Sequence, residues 1–276
     1  MKKKWPFLYV GFITVLTYLP ILITVIYSFN ASRISSVWEG FSLKWYEELF
    51  RDRDLREALI NSLVLALLSC GCAIVIGTMG ALGMYRFRNR VNDVVAYISM
   101  LPIMIPEIIL GMVFLAVFSL MGLPFGMTTL VIAHTAFCIP YIYSMVKARL
   151  AGMDKSLEEA ARDLGASPVR VFFDVTLPLI MPAILSGAML SFAMSFDDVV
   201  ISIFVTGPGV NTLPVRIYTR MKTGVTPEIN ALATLMLVAT VLLLLGSILV
   251  SRIGTGKEKE SNKKHRNRQS VSDVGQ

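Results

Sequence analysis

Apolar residues in this chain fall in six long runs, near residues 7–29, 59–85, 94–120, 128–146, 179–206 and 229–250. Runs of this kind do not alternate as a half-buried strand does, and they exceed the roughly 9–11 residues of a membrane barrel strand. About 20 apolar residues wound as helix cross a bilayer. A helix also satisfies its own backbone hydrogen bonds in lipid. The pattern therefore predicts an all-α membrane protein with six transmembrane helices. Two polar connections stand out as long, 30–58 and 147–178.

Composition agrees with the pattern. The 276 residues are 55% hydrophobic and 16% charged, against about 25% charged in soluble domains. Lys2, Lys3 and Lys4 precede the first run. That run is longer than the core of a signal peptide and no small-x-small cleavage pattern follows it, so it reads as an uncleaved helix. Basic residues then set orientation. One side of the membrane collects Lys2–Lys4, Arg86, Arg88, Arg90, Lys147, Arg149, Lys155, Arg162, Arg170 and the basic tail. The other has fewer: Arg33, Lys44, Arg51, Arg53, Arg56, Arg216, Arg220 and Lys222. Both termini are expected to be cytoplasmic. The net charge of +7 follows from this asymmetry and does not point to nucleic acid. Cys70, Cys72 and Cys138 lie inside apolar runs and read as small hydrophobes, with no metal and no disulfide. The tail, 254–276, is polar and basic without apolar periodicity and is expected to be disordered.

Within the first long connection, Leu43-Lys44-Trp45-Tyr46-Glu47-Glu48-Leu49-Phe50 has apolar residues at helical spacing. It reads as an interfacial amphipathic helix anchored by Trp38 and Trp45, or as a surface for an extracytoplasmic partner. Gly77, Gly80 and Gly83 form a stripe that lets another helix approach closely. Pro102, Pro106 and Pro140 each remove a backbone donor and are expected to kink their helices.

The second connection, 147–178, is built for one shape. Ser156-Leu157-Glu158-Glu159 reads as a capping box, with Ser156 and Glu159 exchanging side-chain and backbone hydrogen bonds. Leu157, Ala160, Ala161 and Leu164 follow at i, i+3, i+4 and i+7 as one apolar stripe. Gly165 ends the helix in a left-handed conformation. Ser167-Pro168 then starts a second short helix with Val169, Phe172 and Phe173 on its apolar face, and Leu177-Pro178 leads into the fifth membrane run. Two short helices joined by a glycine turn either rest on the membrane or form a rigid knob for a groove in a soluble protein. Ordered caps favour the knob.

Glu159-Ala160-Ala161, Gly165 and Val175-x-Leu177-Pro178 resemble the EAA loop of binding-protein-dependent ABC importer permeases, and the resemblance extends over essentially the whole chain. It implies the type I importer architecture. It also implies that Glu159, Ala160, Ala161, Gly165, Leu177 and Pro178 belong to a coupling loop seated in a cleft of a cytoplasmic ATPase. The implied partners are a second homologous permease subunit, two ATPase subunits and an extracytoplasmic binding protein. ATP and Mg2+ would be held by the ATPases, with no cofactor in this chain.

Glu107, Asp197 and Asp198 fall inside apolar runs, where an acid costs about 2.5–3.5 kcal/mol on insertion scales and faces a cavity or a partner. At about 1.5 Å per residue, Glu107 and His134 lie some 20 Å from the cytoplasmic ends of their helices and Asp197 about 22 Å. They form either a structural polar cluster, for instance Glu107 paired with His134, or an acidic stretch of pathway suited to a cation. Adjacent helical residues point about 100° apart, so only one of Asp197 and Asp198 is expected to face a pathway. Pro106-Glu107-Ile108-Ile109-Leu110-Gly111, Ser195-Phe196-Asp197-Asp198-Val199-Val200-Ile201-Ser202, Thr206-Gly207-Pro208-Gly209 and Leu213-Pro214-x-Arg216-Ile217-Tyr218 are similar to the spermidine/putrescine importer permeases, particularly the second permease subunit. That resemblance implies a polyamine substrate in the bacterial inner membrane, with other small cationic or organic solutes as the alternative.

Gly254-Thr255-Gly256-Lys257 is not a phosphate loop, since Ser251 and Glu258 stand where the pattern needs Gly and Ser or Thr. Energy is therefore expected to come from separate ATPase subunits, and the chain is not an enzyme. An ion-coupled transporter or channel would use Glu107 and Asp197 but would not need the capped loop. An intramembrane enzyme built on Glu107 and His134 lacks a nucleophile or a metal set.

Overall fold

A computed structural model describes residues 5–32, 37–86, 90–223, 228–242 and 245–246. The expectations for Lys2–Lys4, Arg33, Arg88, Gly254–Lys257 and the tail 254–276 lie outside the described residues, as does the end of the sixth apolar run. Among the described residues the chain is helical, and its one β feature is an isolated antiparallel bridge between Asn30 and Phe41. The helices are α1 (Trp5–Tyr27), α2 (Lys44–Arg51), α3 (Arg53–Arg86), α4 (Arg90–Met104), α5 (Glu107–Leu120), α6 (Met127–Ala151), α7 (Ser156–Asp163), α8 (Pro168–Val171), α9 (Leu177–Asp197), α10 (Val200–Val205), α11 (Leu213–Thr223) and α12 (Glu228–Leu242).

Four helices are long and apolar enough to cross a membrane: Leu8–Tyr27, Arg53–Arg86, Met127–Ala151 and Pro168–Asp197. The first, second and fourth apolar runs thus appear as expected. The third does not form one helix. It breaks at Ile105–Pro106, and Val94–Met104 and Glu107–Leu120 meet at a bend of 110°. Pro106 is responsible, because it lacks an N–H and disfavours helix in the residue before it. Pro102, by contrast, stays inside α4. The fifth run also differs. α9 stops at Asp197, Asp198 is extended (ψ 127), and α10 is a separate short helix. α12 is shorter than the expected sixth span over its described residues.

The chain divides into two compact units. The first, Met1–Ser62 with Gly209–Val241, is organised around Asn30, which is fully buried. Its side chain donates to the Val37 carbonyl at 2.6 Å and accepts from the Glu39 amide at 3.0 Å, while its own carbonyl accepts from Trp45 Nε1 at 2.7 Å. Trp45 is therefore a core residue and not an interfacial anchor. Trp38 is exposed and packs edge-on against Tyr27 at 6.0 Å. The Asp52 carboxylate accepts from the Asp54 and Leu55 amides and so starts α3 before its apolar stretch. Arg220 of α11 pairs with Asp52 and also with Glu228 at 2.8 Å, and Arg216 pairs with Asp54.

The second unit, Leu63–Pro208 with Leu242–Gln276, has α6 at its centre. Leu130, Ala133, Cys138, Ile142 and Val146 of α6 are fully buried. A Cβ on Gly77 of α3 would meet Ile142 Cβ at 3.2 Å, and one on Gly187 of α9 would meet Ile142 Cα at 3.1 Å. Glycine on both flanks thus sets how closely α3 and α9 approach α6. Of the expected stripe only Gly77 makes such a contact; nothing lies within 4 Å of a Cβ at Gly83.

The Asp52–Arg220 pair makes a pH prediction. Burial raises the Asp52 carboxyl, but the Arg220 guanidinium and the Leu55 and Asp54 amides outweigh it and hold it below its ordinary 3.8. A depressed acid contributes its stability above its unfolded value and loses it as pH falls through the folded one. Asp52→Asn is expected to cost about 1 kcal/mol, with a melting-temperature gap to the wild type that is constant from about pH 8 to about pH 5. The gap should close only below pH 3.8, which thermal unfolding of the detergent-purified chain measures.

Candidate functional site

The 147–178 connection holds its shape with different hydrogen bonds from those the local sequence suggests. The Asp154 carboxylate accepts from the Ser156 amide at 3.0 Å, and the Glu159 amide bonds to the Lys155 carbonyl at 3.1 Å. The Ser156–Glu159 capping box is therefore not formed, because a charged acceptor two residues earlier takes the donor first. At the other end of α7, Gly165 has φ +82. Its amide bonds to the Arg162 carbonyl at 2.8 Å, and the Ala166 amide to the Ala161 carbonyl at 3.1 Å. These are the two hydrogen bonds of a Schellman cap. Ser167 then accepts from the Arg170 amide at 3.4 Å and starts α8 with Pro168 in its first turn.

The second short helix is not separate from the span that follows. α8, a π-helical turn over Phe172–Thr176, and α9 run on as one helix, Pro168–Asp197. Pro178 has no N–H, and its ring crowds the carbonyl four residues back. The wide turn just before it accommodates both. Leu177-Pro178 thus sits within a continuous rod. The knob presents its apolar residues outward: Leu157, Leu164, Val169 and Phe173 are exposed, Leu164 at 89%. Glu159 and Ala160 are exposed and Ala161 is half-buried. Glu158, which capping logic passes over, is the buried residue of α7. Its carboxylate accepts from Thr176 Oγ1 at 2.7 Å and pairs with Arg162 at 3.4 Å.

The intramembrane acids have different surroundings. Asp198 accepts from the amides of Ile201 at 3.2 Å and Ser202 at 2.8 Å, and from the Ser202 hydroxyl at 2.9 Å. It thereby satisfies the donors exposed where α10 begins. His134 is fully buried, with Nε2 3.1 Å from Ser202 Oγ and Nδ1 2.8 Å from Ser195 Oγ. Ser69 Oγ lies 3.1 Å from Ser195 Oγ. The Ser202 hydroxyl donates to Asp198, so it accepts from Nε2–H, and Nδ1 accepts from Ser195. The Ser69 hydroxyl itself donates to the Leu65 carbonyl at 2.6 Å, so the directed chain of donors runs from Ser195 of α9 through His134 of α6 to the carboxylate at the break.

Of the two readings of these groups, a Glu107–His134 pairing is not formed. Glu107 is the exposed first residue of α5, beyond the break at Pro106. Its depth along a straight third helix has no counterpart in the structure. Asp197 is the exposed last residue of α9. Neither the Glu107 nor the Asp197 side chain makes a hydrogen bond or ion pair with a described residue. α5 packs on α10 where Gly111 meets Phe204; a Cβ there would lie 2.5 Å from Phe204 Cδ2. Cys70 and Cys138 are buried and unpaired. Among the described residues no group of His, Cys, Asp and Glu is placed to hold a metal.

Three comparisons bear on this geometry. The sequence profile of the binding-protein-dependent transport system inner membrane component family matches residues 73–256. The chain belongs to this family. The permease is 43% identical to the spermidine/putrescine transport system permease protein PotC of Haemophilus influenzae, over 85% of its own length and 91% of the relative's. It is 45% identical to the putrescine transport system permease protein PotI of Escherichia coli K12, over 80% and 81%. Among solved structures it is similar to a chain of the bacterial alginate ABC transporter in complex with a pentasaccharide-bound periplasmic protein. The TM-score is 0.67 at 18% identity, covering 91% of this chain and 95% of that one. It is also similar to a chain of the MetNI methionine ABC transporter in an inward-facing conformation, with TM-score 0.62 at 20% identity and coverage of 72% and 95%. The permease thus has the fold of these importer subunits and is a multi-pass membrane protein.

The two adjacent acids should separate on substitution. Asp198→Ala leaves buried donors of α10 and Ser202 unsatisfied, at a cost of about 2–4 kcal/mol. Asp197→Ala should fall within about 0.5 kcal/mol of the wild type. Thermal unfolding in detergent measures both, and equal effects would contradict the division of roles.

Proposed function

We propose that the permease is one of two homologous membrane subunits of an ATP-driven importer in a bacterial inner membrane, and that it carries spermidine or putrescine into the cytoplasm. In this reading it has six spans and two cytoplasmic termini, with residues 1–253 as the membrane domain and 254–276 as a basic tail. An extracytoplasmic binding protein delivers the substrate, and two separate ATPase subunits bind ATP and Mg2+. The observation that carries the substrate class is the similarity to relatives named for spermidine and putrescine over most of both chains.

The geometry supports the division of labour. The loop 147–178, with Glu159, Ala160, Ala161 and Gly165 at its tip and Leu177-Pro178 in the rod behind it, docks into the ATPase. Its caps fix one shape while its apolar side chains stay outside. Polyamines are flexible polycations at neutral pH, and Glu107 and Asp197 are carboxylates without a partner among the described residues. They are the groups assigned to the pathway, while Asp198 and His134 shape the break beside them.

Co-expression with the neighbouring gene products and reconstitution into liposomes tests both halves. Spermidine uptake should require ATP and survive collapse of the proton gradient; uptake that follows the gradient and ignores ATP overturns the importer reading. Asp197→Asn and Glu107→Gln are each expected to lower uptake about tenfold or more while the complex still assembles. Normal uptake in both would leave the two acids without a transport role. Gly165→Leu places a side chain at φ +82, which strains the turn by about 1–2 kcal/mol. The ATPase subunits should no longer co-purify with this variant, and unchanged co-purification would reject the docking role.

A further inference from the structure

We propose that Glu158 is a positioning residue that passes movement of α7 into the membrane-spanning helix, through its hydrogen bond to Thr176. The proposal rests on the docking role of the loop.

α7 is a surface helix whose one buried residue is charged, with Glu158 only 8% exposed. An apolar side chain would fill that position without the desolvation cost of a carboxylate. The carboxylate instead supplies direction. One oxygen accepts from Thr176 Oγ1 at 2.7 Å, and the other pairs with Arg162 on the next turn at 3.4 Å. Thr176 is fully buried and is the last residue of the π-helical turn that feeds α9. A π turn closes i→i+5 hydrogen bonds and occurs inside α-helices mostly as a single-turn bulge, frequently at functional sites. The bond from Glu158 holds that turn from outside the rod, where α7 is joined to it.

The same stretch is held from the other side. Arg149 Nε of α6 donates to the Leu179 carbonyl at 2.9 Å, one turn beyond Thr176. The head of the span therefore lies between a contact to the central helix and a contact to α7. Lys155, just before α7, sits over the ring of Tyr85 at the end of α3, 5.7 Å from its centroid. A push on the exposed face of α7 thus meets the span at one directional bond, with α3 and α6 as the frame. The Schellman turn at Gly165 joins α7 to α8 through the backbone, and α7 also packs on α8 and the π turn. The Glu158–Thr176 bond adds to that non-directional packing a contact of fixed direction to the rod.

The test uses the complete importer in proteoliposomes and reads ATP hydrolysis and spermidine uptake together. Thr176→Val removes the donor at nearly the same volume. It should retain its ATPase subunits and hydrolyse ATP, while uptake per ATP falls about tenfold. Thr176→Ser and Glu158→Gln keep a donor and an acceptor and should restore most of the ratio. The double variant Glu158→Met with Thr176→Val leaves no buried polar group unpaired, since Arg162 is exposed to water, and should show the same uncoupling. Wild-type uptake per ATP in Thr176→Val, or in the double variant, overturns the proposal. So does loss of the ATPase subunits in Thr176→Val, which would make the bond part of docking. Gly165→Leu separates the two readings: retained ATPase subunits in that variant refute docking itself, whereas a coupled Thr176→Val refutes only the role of Glu158.

Discussion

Lipid offers no partner for a peptide group, so every interruption of a spanning helix has to be satisfied from within the protein. The permease has two such interruptions in its second unit and meets the requirement in opposite ways. At Ile105–Pro106 the proline removes one donor outright, and the flanking groups close locally, with the Ile105 amide on the Leu101 carbonyl and the Leu110 amide on the Pro106 carbonyl. At Asp198–Val199 nothing is removed, and a carboxylate accepts what the new helix exposes. The first solution leaves Glu107 free at the head of α5. The second consumes Asp198.

The carboxylate at the second break is in turn fixed by its neighbours. Ser202 donates to it, His134 donates to Ser202, and Ser195 donates to His134. His134 stands on α6, the helix that Gly77 and Gly187 allow α3 and α9 to approach closely. Close packing and the polar chain therefore depend on each other. A wider helix spacing would pull the serines out of reach of the imidazole. Loss of the imidazole would remove the link between Ser195 and Ser202 and open a cavity at the tightest part of the core.

The helices that cross were legible in the apolar runs, because length and continuity carry that signal in any membrane protein. The breaks were not. Pro102 and Pro106 look alike in sequence, yet one stays inside α4 and the other follows its end, and the local pattern does not distinguish them. Asp197-Asp198 suggested two side chains on one helix about 100° apart, whereas the helix ends between them. Gly165 was legible because a left-handed residue at a helix end has few occupants other than glycine. The capping box was misread because the competing acceptor, Asp154, lies outside the four residues that define it. Trp45 showed its helical spacing but not its burial, which depends on the carbonyl of Asn30, a residue that carries no pattern of its own.

Both functional regions share a feature that spacing alone does not display. Each has two adjacent acids, Glu158-Glu159 and Asp197-Asp198, and in each the structure uses one and leaves the other. Glu158 is buried on Thr176 and Glu159 is exposed; Asp198 is committed to α10 and Asp197 is exposed. Within α7 consecutive side chains point about 100° apart, and at Asp197-Asp198 the end of α9 turns the second acid away from the first; in both places a charge turned inward fixes the orientation of the charge beside it. A lone acid at either place would have to choose between holding the backbone and meeting a partner. Paired acids separate those demands, so the exposed carboxylate is presented on a helix end whose position its buried neighbour has already set.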